Sequence, residues 1–205
     1  MSYFQKFLTD KSFHILTELK KNYDFILIGG WAVYLYTKSL KSKDIDIIID
    51  FSELEKLRRD FDLEKNERLK KYQARIEEVE IDIYLPYFSK LGVPVESLLP
   101  YSSLKEGFKI LEMEALLITK LSAYKERKTS LKGQKDLVDI VALITNKAFD
   151  FKKFDKFVKN FKLESLKQEL IELLKQTKEL PELKLNKHQF SKIKRQLLPR
   201  LYNNT

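Results

Sequence analysis

The segment FILIGGWAVYLYTKSLKSKDIDIIID, residues 25–50, constrains the fold more than any other part of the sequence. A short apolar run ends in two glycines, a helix-like stretch follows, and a second apolar run then carries aspartates at alternate positions. Side chains alternate across a β-strand, so we expect Asp44 and Asp46 to share one face while isoleucines occupy the other. Two carboxylates on one face repel each other unless a cation lies between them, which makes this strand a candidate metal site.

A third carboxylate repeats this arrangement further along the chain. In EIDIYLP, residues 80–86, Asp82 stands between two isoleucines. Three aspartates from two adjacent strands are expected to hold one or two Mg²⁺ or Mn²⁺ ions, which use oxygen ligands and leave positions for water and phosphate oxygens. The alternative interpretation is that Asp82 is a solvent-facing charge on an amphipathic strand.

The glycine pair marks a turn between a strand and a helix. Gly29 and Gly30 lack a Cβ, so the backbone can turn sharply there and a phosphate can approach the amides at the start of the helix. Strand-to-helix turns also use glycine for packing alone. The spacing between the glycines and the aspartates is what favours the phosphate-binding interpretation.

Composition excludes several other classes of site and protein. The 205-residue chain has no cysteine and two histidines, which excludes disulfides, thiolate metal sites and histidine-rich zinc sites. Its first residues lack the order of a signal peptide, and no apolar run approaches the roughly 18 residues typical of a membrane span. We therefore expect a cytoplasmic protein that does not associate with a membrane.

The basic residues are concentrated at one end of the chain. The formal net charge is +9, and the segment from Lys184 to the C-terminus contains no carboxylate side chain. A basic segment favours a polyanionic partner such as RNA. The alternative is a solvated lysine-rich surface on a segment that docks through apolar positions with helical spacing. Those positions are Phe190, Ile193, Leu197 and Leu198.

The periodicity of apolar residues predicts a mixed α/β (α+β) half followed by a helical half. A helix over 10–22 with Asp10 as its N-cap precedes the order β-α-β-α-β-β, in which a serine cap at Ser52 opens the second of those helices. A connector that contains serine and proline follows and ends in a strand-like piece, FKIL. The rest of the chain is predicted to be helical, and we place the two domains at 1–110 and 111–205.

These motifs together resemble the DNA polymerase beta-like nucleotidyltransferase superfamily. Its signature is a strand that ends in two small residues, an Asp-apolar-Asp strand, and a third aspartate on a later strand. The sequence offers IGG, thirteen intervening residues, DIDI and then EIDIY. The layout is most similar to the small prokaryotic nucleotidyltransferases related to abortive-infection toxins. Those carry a lysine, an arginine and a KD..D motif after the core, and the segment LLITKLSAYKERKTSLKGQKDLVDI is similar to that pattern.

The resemblance implies a nucleotidyltransferase-type mixed sheet with flanking helices, and an enzyme that uses Mg²⁺ or Mn²⁺, with two ions expected. The reaction implied is transfer of a nucleoside monophosphate from an NTP to a hydroxyl of RNA, a protein or a small molecule, with release of pyrophosphate. A cognate partner protein is also implied. The alternative functions are a non-catalytic nucleic-acid- or protein-binding module on the same fold and a structural helical adaptor.

Site residues follow from the same resemblance. It implies that the three aspartates are catalytic and bind metal, and that Gly29 and Gly30 contact the triphosphate. Relatives often carry a basic residue and a hydroxyl just before the first aspartate; Ser42 offers the hydroxyl, and Lys38, Lys41 and Lys43 are candidates for the basic residue. Further nucleotide-binding residues are expected in the helical half. The nucleotide-binding set beyond the glycines is Ser42, Lys43, Lys120, Arg127 and Asp136, with Asp139 completing the KD..D motif.

Overall fold

The structure, a computed structural model, describes residues 3–202 and divides the chain into two compact units at the bond between Glu112 and Met113. Every strand of the described sheet belongs to the first unit. The helices of that unit are α1 (Tyr3–Asn22), α2 (Gly29–Thr37) and α3 (Phe51–Asp60), with a short 3-10 turn at Val95–Ser97. Its strands are β1 (Ile26–Ile28), β2 (Ile45–Ile48), β3 (Glu64–Asn66), β4 (Lys71–Ile76), β5 (Val79–Tyr84), β6 (Ser102–Lys105) and β7 (Phe108–Leu111).

The sheet is mixed, as expected, and has the strand order β3-β4-β5-β2-β1-β7-β6. The pairs β1–β7 and β2–β5 are parallel, and the remaining neighbours are antiparallel. The central strands β1 and β2 are short and rich in isoleucine because both contribute to the core. Their apolar side chains are buried throughout. The polar side chains of β2 and of its neighbour β5 alternate with buried isoleucines along each strand.

Over residues 113–202, the second unit contains five helices and a short 3-10 turn at Pro181–Leu183. Helix α4 packs against the three helices that follow it, and the last two helices pack together. Phenylalanines and leucines fill the interior, because the helices present apolar stripes at helical spacing. The helices are α4 (Met113–Arg127), α5 (Leu131–Ile144), α6 (Phe151–Phe161), α7 (Glu164–Gln176) and α8 (Lys187–Tyr202).

Two local predictions are wrong, and two strands have no predicted counterpart. Asp10 is not an N-cap, because α1 already runs from Tyr3 and the Asp10 carboxylate forms an ion pair with Lys41. The cap of α3 is Asp50 and not Ser52: the Asp50 side chain accepts a hydrogen bond from the backbone N–H of Glu53. The strands β3 and β6 were not predicted, since neither has an alternating apolar pattern.

Within residues 3–202, no helix is both long enough and apolar enough to cross a membrane.

Candidate active site

Two of the predicted aspartates are direct neighbours across the sheet. Strands β2 and β5 pair in parallel, and their register places Asp46 opposite Asp82. Neighbouring strands lie about 4.8 Å apart, so both carboxylates rise from adjacent points of one face. Both residues are half-buried, whereas the isoleucines that flank each of them are buried. The predicted alternation is therefore present in the structure, and Asp44 stands half-buried immediately before β2.

The glycine turn lies against the second aspartate. Strand β1 pairs with β2 so that Ile28 is opposite Asp46, and α2 begins at the next residue, Gly29. Gly29 has a φ of +65°, and a Cβ at this position would overlap the Asp46 carboxylate. Only glycine satisfies both conditions without strain. The turn therefore brings a carboxylate against the backbone at the N-terminus of a helix, where the helix dipole favours negative charge.

The other residues predicted in this unit are Gly30, next to the turn, and Ser42 and Lys43, in the segment before β2. Gly30 is the second residue of α2 and is buried. Ser42 is also buried, and Lys43 is exposed. Two further lysines of the same segment are engaged elsewhere in the unit, since Lys38 pairs with Glu106 at 2.6 Å and Lys41 pairs with Asp10 at 2.6 Å. Lys43 stays a predicted phosphate ligand.

Three residues that no sequence motif indicated surround Asp82. The ammonium of Lys71 lies 2.6 Å from Asp82 Oδ2, and the amide of Gln73 donates to Asp82 Oδ1 at 3.0 Å. Asn66 in turn donates to the Gln73 side-chain oxygen at 3.2 Å, which turns the NH₂ group of Gln73 toward the aspartate. Strands β3 and β4 thus supply a polar network that holds both oxygens of the Asp82 carboxylate.

A signal for two of these residues was present in the sequence. Strands β4 and β5 form an antiparallel hairpin whose turn is Glu77 and Glu78, with Ile76 paired to Val79. Counting back from a two-residue turn places Gln73 directly opposite Asp82, and Lys71 then falls on the same face. The register of this hairpin, rather than any motif, is the feature that identifies them.

The residues predicted in the second unit form an ion-pair cluster within that unit. Lys120 Nζ lies 3.3 Å from Asp136 Oδ1 and 2.8 Å from Asp139 Oδ2, and all three side chains are buried. The contact with Asp139 is close but is not aligned as a hydrogen bond. Arg127 Nε donates to Asp136 Oδ2 at 2.8 Å, and the arginine side chain is 41% exposed. The KD..D motif therefore joins α4 to α5 within this unit.

A tight connection between α4 and α5 holds the cluster in register. Ser130 caps α5 by accepting a hydrogen bond from the backbone N–H of Gly133 at 3.0 Å. A Cβ at Gly133 would overlap the carbonyl oxygen of Arg127, so the two helix ends approach more closely than a larger residue permits. The short turn brings Asp136 back beside Arg127 and Lys120.

The predicted ligands of the first unit suit a hard cation. Mg²⁺ characteristically binds one or two carboxylates and completes its shell with water and phosphate oxygens. Asp46 and Asp82 supply two carboxylates in register. Among residues 3–202, no group of three or more histidine, aspartate or glutamate side chains is arranged to hold a metal. A cage made of protein side chains alone is thus absent from that range, and Asp44 stays a predicted ligand.

Comparisons with known proteins agree with this geometry. The family described as "Nucleotidyltransferase of unknown function (DUF6036)" matches residues 7–90, which include the glycine turn and all three aspartates. No curated protein matches the sequence significantly.

Among solved structures, JHP933 from Helicobacter pylori is similar, with a TM-score of 0.52, 16% identity and coverage of 99% of this chain and 95% of that one. A proposed nucleotidyltransferase from H. pylori has a TM-score of 0.53 and 16% identity over 100% of this chain and 99% of its own. The antibiotic-resistance factor ANT(2'')-Ia has a TM-score of 0.55 and 17% identity over 82% of this chain and 97% of its own.

At these identities the structural matches establish the fold. The resemblance to nucleotidyltransferases is thereby confirmed: residues 7–90 match a nucleotidyltransferase family, and the chain has a nucleotidyltransferase-like fold. The relation to abortive-infection toxins stays a prediction.

Proposed function

We propose that the protein is a metal-dependent nucleotidyltransferase that moves a nucleoside monophosphate from an NTP to a hydroxyl acceptor. The observation that carries the proposal is the parallel register of Asp46 and Asp82 beside the glycine turn at Gly29. This arrangement combines carboxylates suited to a hard cation with backbone amides suited to a phosphate, as phosphoryl transfer requires. The family match over the same residues supports it.

The residues of the site have distinct roles in this proposal. Gly29 and Gly30 offer backbone N–H groups to the triphosphate, while Ser42 and Lys43 add a hydroxyl and a positive charge. Asp46 would hold the metal, with Asp44 as a further ligand. Divalent ions bound there would neutralise charge on the attacking and leaving oxygens.

Asp82 would complete the metal site and is also the proposed proton acceptor. The acceptor hydroxyl oxygen forms a bond to the α-phosphorus, and the bond from that phosphorus to the bridging oxygen breaks. Pyrophosphate leaves with the electron pair, and the hydroxyl proton passes toward Asp82. The contacts of Lys71 and Gln73 keep the carboxylate in one orientation, which positioned proton transfer requires.

The residues of the second unit remain proposed nucleotide ligands. Arg127 is the most exposed member of its cluster, and its pairing with Asp136 limits the conformations of the guanidinium. We propose that Arg127 contacts phosphate and that Lys120 and Asp136 hold it in place. Arg127→Lys should then raise KM for NTP, because lysine cannot reproduce the planar contact with Asp136.

The direct test is label transfer. The protein is incubated with each of the four α-labelled NTPs, Mg²⁺, and a pool of RNA and cellular protein, and the products are separated. Transfer of label that requires Mg²⁺ and is abolished in Asp82→Asn would support the proposal. Absence of transfer from all four nucleotides to any acceptor in the pool would count against it. Glu80→Gln is the matched control, because Glu80 is an exposed carboxylate on the same strand.

RNA is the acceptor class that the charge of helix α8 favours. Of the four apolar positions predicted to dock this segment, Phe190 and Leu197 are buried, so the helix packs on its own unit. Lys194 caps α7 by donating to the carbonyl oxygens of Lys175 and Thr177, and it is therefore structural. The exposed basic residues of the helix are Lys187, Lys192, Arg195 and Arg200.

The double variant Lys192→Ala/Arg195→Ala tests the RNA proposal. RNA affinity should fall, and the slope of log affinity against log salt should flatten by up to about one unit for each phosphate that the variant no longer neutralises. Lys194→Ala should instead lower stability, because two carbonyl groups at the end of α7 no longer have this donor. Unchanged RNA affinity in the double variant would favour a protein or small-molecule acceptor.

A second candidate function is a non-catalytic module that binds nucleic acid or protein on the same fold. The observation in its favour is that Lys71 and Gln73 already contact both oxygens of Asp82. A module of this kind would bind its partner equally well with Asp82→Asn, and label transfer would be absent with every nucleotide.

A further inference from the structure

The pair formed by Lys71 and Asp82 differs from the surface ion pairs of the first unit. The Lys71 side chain is 11% exposed and that of Asp82 is 16% exposed, with 2.6 Å between Nζ and Oδ2. The pairs Lys38–Glu106 and Lys21–Glu18, by contrast, lie on open surface. A lysine that is mostly removed from water requires a carboxylate partner, and Asp82 is that partner for Lys71.

The surrounding residues hold the Asp82 carboxylate in one orientation. Asn66 orients the Gln73 amide, Gln73 donates to one oxygen of Asp82, and Lys71 contacts the other oxygen. Each carboxylate oxygen has two lone pairs, so a second cation can approach Asp82 while these contacts persist. The ammonium and a divalent ion would nevertheless share one negative charge, and like charges at that distance repel.

The position of Asp46 adds to the negative charge on this face of the sheet. Its carboxylate rises next to that of Asp82 across the β2–β5 pair, in a partly buried setting. Two neighbouring carboxylates there repel unless positive charge lies close by. Lys71 supplies such a charge from within the chain.

We infer that Lys71 is a positioning residue that orients Asp82 and balances its charge before a divalent cation is bound, and that it competes with the cation for this carboxylate. The inference rests on the proposed function, since that function assigns Asp82 to the metal site. Its consequence is that the first unit favours metal bound together with a nucleotide over metal bound alone. Triphosphate oxygens bring negative charge that offsets the competing ammonium.

Calorimetric titration of the full chain with Mn²⁺, without nucleotide and at one pH, tests this competition. Lys71→Met removes the charge and keeps a side chain of similar length. Its affinity for Mn²⁺ should rise by roughly threefold to tenfold over the original chain, the range expected when one partly exposed competing charge is removed. Lys71→Arg keeps the charge and should stay within about twofold.

Lys167→Met is the matched control in the second unit. Lys167 pairs with Asp155 at 2.8 Å, and the two side chains are 9% and 14% exposed, close to the values for Lys71 and Asp82. Both methionine variants should lower the melting temperature. Only Lys71→Met should change the affinity for Mn²⁺, and added Mn²⁺ should restore part of its stability by mass action.

The outcomes separate the inference from the proposed function. Mn²⁺ binding that Asp46→Asn abolishes but Lys71→Met leaves unchanged or weakens would overturn the inference alone. Binding absent from the original chain and from Lys71→Met without nucleotide, but present once an NTP is added, would overturn the inference alone. Binding absent from both chains with and without NTP would overturn both. Binding seen only in Lys71→Met would support the competition strongly.

A second measurement applies if Lys71→Met does not fold. The NMR signal of the Lys71 ammonium is then followed in the original chain as Mg²⁺ is added. This signal should shift, and that of Lys167 should stay in place. A Lys71 signal that does not move while Mg²⁺ binds would overturn the inference.

Discussion

The two units of the molecule each hold lysine against aspartate, but they expose the carboxylates differently. In the first unit, Asp46 and Asp82 stand half-buried on a sheet face. In the second, Asp136 and Asp139 are enclosed between helices with Lys120. A carboxylate must keep one side accessible to bind a ligand, whereas an enclosed carboxylate mainly fixes the elements around it. We therefore propose that the carboxylates on the sheet take part in the reaction, whereas the enclosed carboxylates hold α4 and α5 in position.

The largest effect on activity is expected from Asp46→Asn, which tests whether the carboxylates on the sheet take part in the reaction. The substitution keeps the shape of the side chain beside Gly29 and removes the charge proposed to anchor the metal. Transferase activity should fall by about three orders of magnitude or more, as for removal of a group that stabilises the transition state. The melting temperature should change little, since the repulsion with Asp82 is relieved while the interaction of the carboxylate with the N-terminus of α2 is lost. Single-turnover label transfer and calorimetry check the two results, and retention of full activity would contradict the assignment.

Lys120→Met tests whether the enclosed carboxylates hold α4 and α5 together, and it should have the largest effect on stability. It removes the buried cation that contacts both enclosed carboxylates, so the free energy of unfolding should fall by about 3–5 kcal/mol. Urea denaturation measures the change. Lys128→Met, which removes the ion pair between the exposed Lys128 and the half-buried Glu169, is the control and should cost less than about 1 kcal/mol.

A second substitution tests whether that destabilisation comes from the enclosed charges. Asp139→Asn in the Lys120→Met background should recover part of the stability, because one uncompensated charge is removed. If the double variant were as unstable as Lys120→Met alone, the cluster would owe its stability to packing rather than to charge.

Gly29→Ala should have an intermediate effect and sharpens the description of the first unit. The added Cβ meets the Asp46 carboxylate, and alanine disfavours the positive φ of this residue, so stability should fall by about 2–3 kcal/mol. Gly92→Ala is the control, because Gly92 also has a positive φ but lies in the segment after β5, outside the glycine turn. Transferase activity should decrease in Gly29→Ala and not in Gly92→Ala; an equal decrease in both would show that backbone strain alone is responsible.

Asp50→Ala should have the smallest effect, and that effect should depend on pH. The backbone N–H of Glu53, followed by the Ser52 hydroxyl, lowers the pKa of Asp50 at the start of α3. A lowered folded-state pKa stabilises the fold above the unfolded pKa of about 3.9, and this stabilisation disappears as pH falls through the folded value. The variant should be less stable by about 1 kcal/mol at neutral pH. Urea denaturation should show the difference narrowing in acid, and a constant difference would contradict the charge explanation.

The elements with strong periodicity could be predicted from the sequence. Strands β1, β2 and β5 have unbroken or alternating apolar residues, and the glycines mark the start of α2. The edge strands β3 and β6, EKN and SSLK, could not be predicted in the same way. Their residues form strands because a neighbouring strand offers hydrogen bonds, which is a tertiary cause.

The sequence by itself determined that carboxylates alternate with isoleucines near a glycine turn, because the two-residue period of a strand is a local property. It also determined that any metal ligands would be oxygens, since cysteine is absent and histidine is scarce. Only the tertiary structure decided that Asp46 faces Asp82 and that Lys71 contacts the same carboxylate. Strand order and register arise from the packing of the whole sheet, and residues far apart in sequence become neighbours only through that packing.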